Sequence, residues 1–414
     1  MLKNNQILII LILAIFALRL FISFMPSFEY DQNAFRIWSY RLAEGGLTNF
    51  YSPDTFTNNP IGFLYLLWII ALVKINLLVQ NAFFIPNNHY DLLLKIPANA
   101  ADLIAATLIY FFLKREINQK AAWAGFLFYA LNPAIFFNSA IWGQYDGVAA
   151  LFLLLSAFTL IQKKSPEVAS VFLAVALSFK PQTIAFTPIF GLALLLNYNF
   201  KRWLYSFVVF FITALIIYLP FFPTNPLKGI IDVNVGSTSL FNCTTCFALN
   251  FWGVFGNWRA DSLTFLGITY LHWGMIMLVI TYLTIFWTKQ LGKILASHFF
   301  YLTASISIIS FFILLTRMHE RYLFPIFPFL LISSFLLKSR FLLGIYFLIS
   351  AIYFINLYIP YVYYNNQLGI KTFPLEISEQ FSFFSYIAVF VFAIFYLYYQ
   401  KIIRSKVKID ENTD

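Results

Sequence analysis

Four short stretches set acids, amides and cations into a chain that is otherwise apolar. The first, Pro26 to Pro60, holds Glu29, Asp31, Glu44 and Asp54 with Arg36 and Arg41. The second runs from Asn132 to Gly147 and ends Trp142-Gly143-Gln144-Tyr145-Asp146-Gly147. The third is Ser178-Phe179-Lys180-Pro181-Gln182, and the fourth Arg317-Met318-His319-Glu320-Arg321-Tyr322. A generic loop explains Asp146 alone, but not Trp, Gln, Tyr and Asp kept together in so short a turn. A lysine at a hairpin tip commonly snorkels to an interface, which is the plain reading of Lys180. Four ionisable side chains at one helix mouth are harder to dismiss, because charge in an apolar chain is costly and marks a site. Asp31 and Asp146 are carboxylates suited to proton transfer. Lys180, Arg317, His319 and Arg321 are cations suited to holding an anion.

Helices must position these groups. Phe35, Trp38 and Leu42 follow Asp31 at helical spacing, which predicts a helix lying at a membrane surface with an acid at its start. The apolar runs predict further helices near 7–25, 95–113, 121–141, 147–162, 166–180, 182–198, 203–222, 268–288, 297–316, 322–337, 341–358 and 381–400. Hydrophobic residues make up 61%, aromatic residues 21% and charged residues only 11%, with a mean hydropathy of +0.78. That composition belongs to an all-α polytopic membrane protein and leaves no stretch for a soluble domain. The net charge of +10 lies in short loops between apolar segments, so it implies membrane lipid and no nucleic-acid partner. Ile7 to Phe24 keeps Arg19 inside an apolar run without a small-residue cleavage site, and reads as a retained anchor.

Ile61 to Val79 is apolar enough to span, yet as a full crossing it would reverse the side of every later loop. Treated as a re-entrant or surface-lying segment, interrupted by Lys74, it leaves most of the 27 basic residues in one set of loops: 114–120, 163–164, 201–202, 289–293, 338–340 and the two chain ends. Lysine and arginine bias in short loops marks the cytoplasmic side, so this arrangement puts both termini inside and the four polar stretches outside. The expectation is about 12 transmembrane helices plus that segment. It divides into a module over 1–222 with its first outer loop at 26–94, an outer loop at 223–267, and C-terminal helices over 268–414. Arg19 and Asp102 fall at matching depths, roughly 10 Å below the outer boundary at 1.5 Å of rise per residue, which predicts a buried ion pair.

Several of these motifs share an order that is similar to a known family. Asp31 with Phe35, Arg36 and Trp38 comes first, then Asn59-Pro60-Ile61-Gly62 opening a half-buried helix. Trp142-Gly143-Gln144-Tyr145-Asp146, Phe179-Lys180-Pro181-Gln182 and His319-Glu320-Arg321-Tyr322 follow. Over roughly residues 1–340 the chain resembles the GT-C superfamily, polytopic glycosyltransferases that use lipid-phosphate sugars. Within it the look is of prokaryotic relatives of the GPI-anchor mannosyltransferases and of the dolichyl-phosphate-glucose-dependent enzymes. The resemblance implies an acid in the first outer loop as the catalytic residue, matched by Asp31. It also implies a polyprenyl-phosphate hexose donor, with mannose favoured, a lipid-linked or cell-surface glycan acceptor, and inversion at the anomeric carbon. It points to a bacterial or archaeal plasma membrane, or the endoplasmic reticulum in a eukaryotic host.

The chemistry sorts the residues into roles. An acceptor hydroxyl needs a base, and Asp31 is the candidate, with Asp146 beside it. The departing lipid phosphate gains charge that Lys180, Arg317, His319 and Arg321 would stabilise. Trp38, Trp142, Gln144, Gln182 and Glu320 are the candidate substrate contacts. A Mg²⁺ or Mn²⁺ shared by Asp31 and Asp146 is chemically reasonable. No compact third acid stands beside Asp146, so no metal or other cofactor is expected. A transporter or flippase of a lipid-linked saccharide is the alternative, although the chain shows no internal repeat or paired broken helices. Cys243 and Cys246 are too few for a structural zinc site; a local disulfide and two free thiols both stay open. Asn242-Cys243-Thr244 also matches a glycosylation acceptor, which has meaning only in the endoplasmic reticulum.

Overall fold

The computed structural model describes residues 4–51, 60–79, 88–238, 240–287, 291–370, 372 and 380–411. Lys3, Asp54, Asn59, Asn87, Lys289 and Asp414 lie outside the described residues, as do the side chains of Lys74, Lys293, Lys406, Lys408, Asp410 and Glu411. The chain is all-α apart from two-residue strand pairs: α1 (Asn4–Ile22), α2 (Glu29–Gly45), α3 (Ile61–Val79), α4 (Asn88–Glu116), α5 (Gln119–Ala130), α6 (Pro133–Phe136), α7 (Asp146–Ile161), α8 (Pro166–Phe179), α9 (Thr187–Asn197), α10 (Phe200–Tyr218), α11 (Pro226–Thr238), α12 (Tyr270–Phe286), α13 (Leu291–Leu295), α14 (Phe299–Leu314), α15 (Ile326–Leu336), α16 (Arg340–Gln367) and α17 (Phe381–Glu411).

Among the described residues, five helices are long and apolar enough to cross a membrane: Asn4–Ile22, His89–Glu116, Phe200–Tyr218, Arg340–Gln367 and Phe381–Ser405. The pair Gln119–Ala130 and Pro133–Trp142, bent by 42°, gives a sixth if the two are taken as one span. Shorter apolar helices of 10–17 residues fill the remaining predicted spans. The outer faces of α1 and α10 present Leu13, Phe21, Phe207 and Ile216 at 62%, 75%, 63% and 63% exposure, as helices bathed in lipid do. One continuous apolar core runs from Leu8 to Ile403.

Several boundaries differ from the sequence expectation for physical reasons. The helix expected over 121–141 breaks at Asn132, whose side chain accepts from Ala134 N at 2.9 Å and caps a new helix with Pro133 in its first turn. It then widens into a π turn over Phe137–Trp142. The helix expected over 341–358 runs on to Gln367 through Pro360. α11 forms inside what was read as a plain outer loop. Ile61–Val79 is one helix packed against α2, α4 and α8.

The ends of the bundle can be followed from contact to contact. Asn4 donates to Gln119, Arg115 to Gln162, and His298 lies 3.5 Å from Glu116; Arg202 pairs with Glu167, and Ser339 meets Tyr398. These contacts gather the start of α1, the end of α4 and the loops rich in lysine and arginine at one end. Lys95 Nζ donates to Ser23 O at 2.8 Å, so α4 begins where α1 finishes, at the other end.

Beneath that second end the expected pair is formed. Arg19 Nη1 donates to Asp102 Oδ2 at 2.8 Å and Arg19 Nη2 to Ala130 O at 2.7 Å, with both side chains fully buried. Breaking a buried pair by deleting one partner costs about 3–5 kcal/mol, because the other charge stays unpaired in a dry site. Asp102→Ala and Arg19→Ala are each expected to cut protein abundance sharply, and the Arg19→Asp/Asp102→Arg double variant to recover part of it. Recovery is partial because the exchanged aspartate no longer satisfies Ala130 O. Equal abundance of the single variants and wild type in membrane fractions would argue against this account.

Candidate active site

The site forms where three loop junctions meet the start of α2. Pro26, Ser27 and Phe28 lead into that helix, and α16 pins them: Tyr361 donates to Pro26 O at 2.6 Å and Asn365 Nδ2 to Ser27 O at 2.8 Å. Asn365 Oδ1 in turn accepts from Glu29 N at 3.1 Å. Phe35, Trp38 and Leu42 then bury one face of α2. Arg36 is buried between Glu29 and Asp91, which ties the helix to α4. These constraints leave Asp31 on the other face, with its carboxylate aimed at the 142–146 turn.

Asp31 Oδ2 accepts from Trp142 Nε1 at 2.8 Å, Gln144 Nε2 at 2.6 Å and Arg321 Nη1 at 3.3 Å. Oδ1 accepts from no group among the described residues, and the side chain is 22% exposed. Gln144 works from both ends of its amide, because its Oε1 accepts from Lys180 Nζ at 3.0 Å. Lys180 also lies 3.6 Å from Asp146 Oδ1, and Asp146 Oδ2 accepts from Asn138 Nδ2 at 3.4 Å. Arg321 Nη1 donates to Glu320 at 2.5 Å, and the guanidinium lies 5.6 Å from the Trp142 ring centroid. Tyr353 on α16 braces the group, its hydroxyl lying 3.2 Å from both Arg321 O and Asn138 Oδ1.

The turn geometry depends on two glycines. Gly143 has φ +90°, a left-handed conformation that glycine takes without strain, and a Cβ there would sit 2.2 Å from Gln32 Nε2. That space lets Gln32 donate to Gly143 O at 3.2 Å and lock α2 to the turn. Gly62 of α3 lies against the end of α8; a Cβ there would stand 2.8 Å from the Ser178 carbonyl oxygen, two residues before Lys180. Pro181 then stops the helix and leaves Lys180 extended, pointing back into the cluster.

The charged groups in these loops shape one another. Burial pushes the Lys180 ammonium below its ordinary range, against the pull of Asp146. Burial alone would raise the Glu320 carboxyl, but Arg321 and His319 outweigh it and hold the group below the usual carboxylate range. The result is two acids, Asp31 and Asp146, each faced by a cation: Arg321 lies 3.3 Å from the first and Lys180 lies 3.6 Å from the second.

Not every residue singled out in the sequence joins this cluster. Trp38 is 3% exposed and packs beside Phe35, so it is a core residue of α2 with no open face for a ligand. Trp142 is fully buried, with Phe28 stacked at 4.3 Å, and contributes its Nε1 proton instead of a ring platform. Arg317 is turned aside to Asp261, its Nε 2.6 Å from Oδ2. His319 packs against Phe241 at 4.8 Å and lies 3.8 Å from Glu320. Gln182 is half-buried on the turn after Lys180 and takes no part in the cluster's hydrogen bonds. Among the described residues no three His, Cys, Asp or Glu side chains gather as a metal set.

A loop the sequence left unexplained holds the cationic segment in place. Cys243 and Cys246 form a disulfide. Thr245–Cys246 pairs as a short parallel strand with Met318–His319, and Arg317 N donates to Cys243 O at 2.9 Å. Tyr353, Tyr361 and Asn365 of α16 carry no motif that the sequence reading picked out, and Tyr361 and Asn365 lie past the expected helix end at 358. No protein-family model and no curated protein matches the chain.

Proposed function

We propose that this protein is a membrane glycosyltransferase that moves a hexose from a polyprenyl-phosphate sugar to a glycan or lipid-linked acceptor. The observation that carries the reading is Asp31, with one carboxylate oxygen held by three donors and the other left open beside a cationic cluster. Such an acid is oriented by its donors, faces the Arg321 guanidinium, and has an open oxygen to take a proton. In the proposed step the acceptor hydroxyl gives its proton to Asp31 Oδ1 as its oxygen bonds to the anomeric carbon. The bond from that carbon to the phosphate oxygen breaks, and its electron pair leaves with the polyprenyl phosphate. Arg321 meets the growing charge: its Nε is buried without a partner, an unspent donor that suits an anion. A single displacement of this kind inverts the sugar. Lys180 is already committed to Gln144 and Asp146, so its part is to neutralise Asp146 and fix the turn.

Both carboxylates already face protein cations, which favours catalysis without a metal. Two of the charges within the helices, Arg19 and Asp102, are closed on each other, which favours an enzyme over a transporter. The basic loops gather at the end away from the site, so we assign that end, with both termini, to the cytoplasm and the site to the outer face. A disulfide at the site end agrees with an oxidising compartment there. The finer count of about 12 crossings belongs to this proposal too.

Two experiments test the reading. Purified protein in lipid, supplied with polyprenyl-phosphate mannose or glucose, should release polyprenyl phosphate; no release from either donor counts against it. Single cysteines near Lys120 and Lys163, in a background lacking the native pair, should resist an impermeant reagent applied outside, while one at Asn366 should label. Labelling at Lys120 but not at Asn366 would reverse the orientation.

A further inference from the structure

Beside the cluster, between the disulfide loop and the last turn of α16, lies a cavity of about 310 Å³ lined by Phe247, Trp258, Tyr363, Tyr364 and Gln367. We propose that it is an acceptor subsite that receives a pyranose ring of a saccharide; the proposal rests on the sugar-transfer reading above.

Its lining has the chemistry a sugar needs. A pyranose presents a face of C–H groups and a rim of hydroxyls. Aromatic ring faces carry negative charge density that meets the first, and polar tips meet the second. Four rings and one amide supply both. Trp258 is 45% exposed and Tyr363 44% exposed, so both offer area to a ligand. The Trp258 indole N–H, both tyrosine hydroxyls and the Gln367 amide have no hydrogen-bond partner among the described residues. A lipid chain would use the ring faces and leave these polar tips unspent.

The backbone adds a second observation. Trp258 has φ +58°, a conformation rare for a bulky side chain, and its N–H donates to Thr245 O at 3.0 Å. Strain of this kind persists only where surrounding contacts over-determine it, and it clusters at ligand sites. Here the strained residue is a large indole held partly in solvent, touching Phe241 and Phe247 only by ring edges at 6.2 and 6.1 Å.

Position links the cavity to the reaction. Phe247 meets Tyr364 at 5.6 Å, Tyr364 meets Tyr30 at 5.2 Å, and Tyr30 precedes Asp31. The Phe247 backbone also bridges to His319, next to Glu320 and Arg321. A saccharide stacked in the cavity can therefore extend a hydroxyl past Tyr364 and Tyr30 toward the open oxygen of Asp31.

The test uses the full chain in nanodiscs with free mannotriose, maltotriose and chitotriose as probes, read by saturation-transfer NMR and tryptophan fluorescence. At least one trisaccharide should bind saturably. Trp258→Gly removes the indole and suits the left-handed backbone, so it should fold and weaken binding by about tenfold or more. Tyr363→Ala should weaken it comparably, while Tyr363→Phe keeps the ring and most of the affinity. No saturable binding by any probe, or undiminished binding in the Trp258→Gly/Tyr363→Ala double variant, overturns the subsite. Polyprenyl phosphate release from the donor is followed in the same preparation. Release without saccharide binding removes the subsite alone, and binding without release removes the transfer reading alone.

Discussion

Replacing Asp31 by asparagine is expected to lower sugar transfer by roughly two to four orders of magnitude, the usual worth of a positioned base. Asparagine keeps the shape, and its carbonyl oxygen can still accept from Trp142 Nε1 and Gln144 Nε2, so abundance and donor binding should stay near wild type. Arg321 retains Glu320 as a counter-ion in this variant. Asp146→Asn should behave differently. Asp146 is 2% exposed against a buried Lys180, and removing its charge strands that lysine. Stability and abundance should therefore fall in Asp146→Asn, with turnover per folded molecule reduced less than in Asp31→Asn. Near-normal turnover in Asp31→Asn would remove the base assignment. Activity that vanishes with EDTA and returns with Mn²⁺ would overturn metal-independent catalysis.

The helical class and the central cluster were legible because each rests on local signals. Apolar runs mark helices whatever they pack against, and a Gly-bracketed turn carrying Gln144 and Asp146 announces polar chemistry in a dry setting. The Arg19–Asp102 pair was legible for a similar reason, since helical rise converts sequence position into depth. What remained hidden depends on long-range contacts. Trp38 and Trp142 look like sugar platforms until the fold buries both. Arg317 looks like a phosphate ligand until Asp261, far away in sequence, claims it. The extension of α16 past Pro360 was hidden too, because proline usually disrupts a helix interior. That extension brings Tyr361, Tyr364 and Asn365 to the site.

Arg321→Lys is the second substitution with a large expected effect. Among the described residues Arg321 is the one cation that touches Asp31, shares Glu320, lies against Trp142 and still has a buried N–H to spare. A planar guanidinium can meet a carboxylate and a phosphate at once through separate N–H groups, whereas an ammonium acts as a compact point charge on a flexible stem. Lysine at this position keeps Asp31 and Glu320 neutralised, so the protein should still accumulate, but the phosphate loses its directed donors. Loss of one preorganised donor to developing charge costs about 10²–10³ in rate, and transfer should fall by that amount. The discriminating measurement compares donor binding for a polyprenyl-phosphate sugar and for the matching uncharged polyprenyl glycoside. Wild type should prefer the phosphate strongly, and Arg321→Lys should lose most of that preference while binding the uncharged glycoside as before. If Arg321→Lys keeps the wild-type preference and rate, the phosphate is held elsewhere and the leaving-group assignment fails. If it loses affinity for both ligands equally, Arg321 shapes the site without contacting the phosphate.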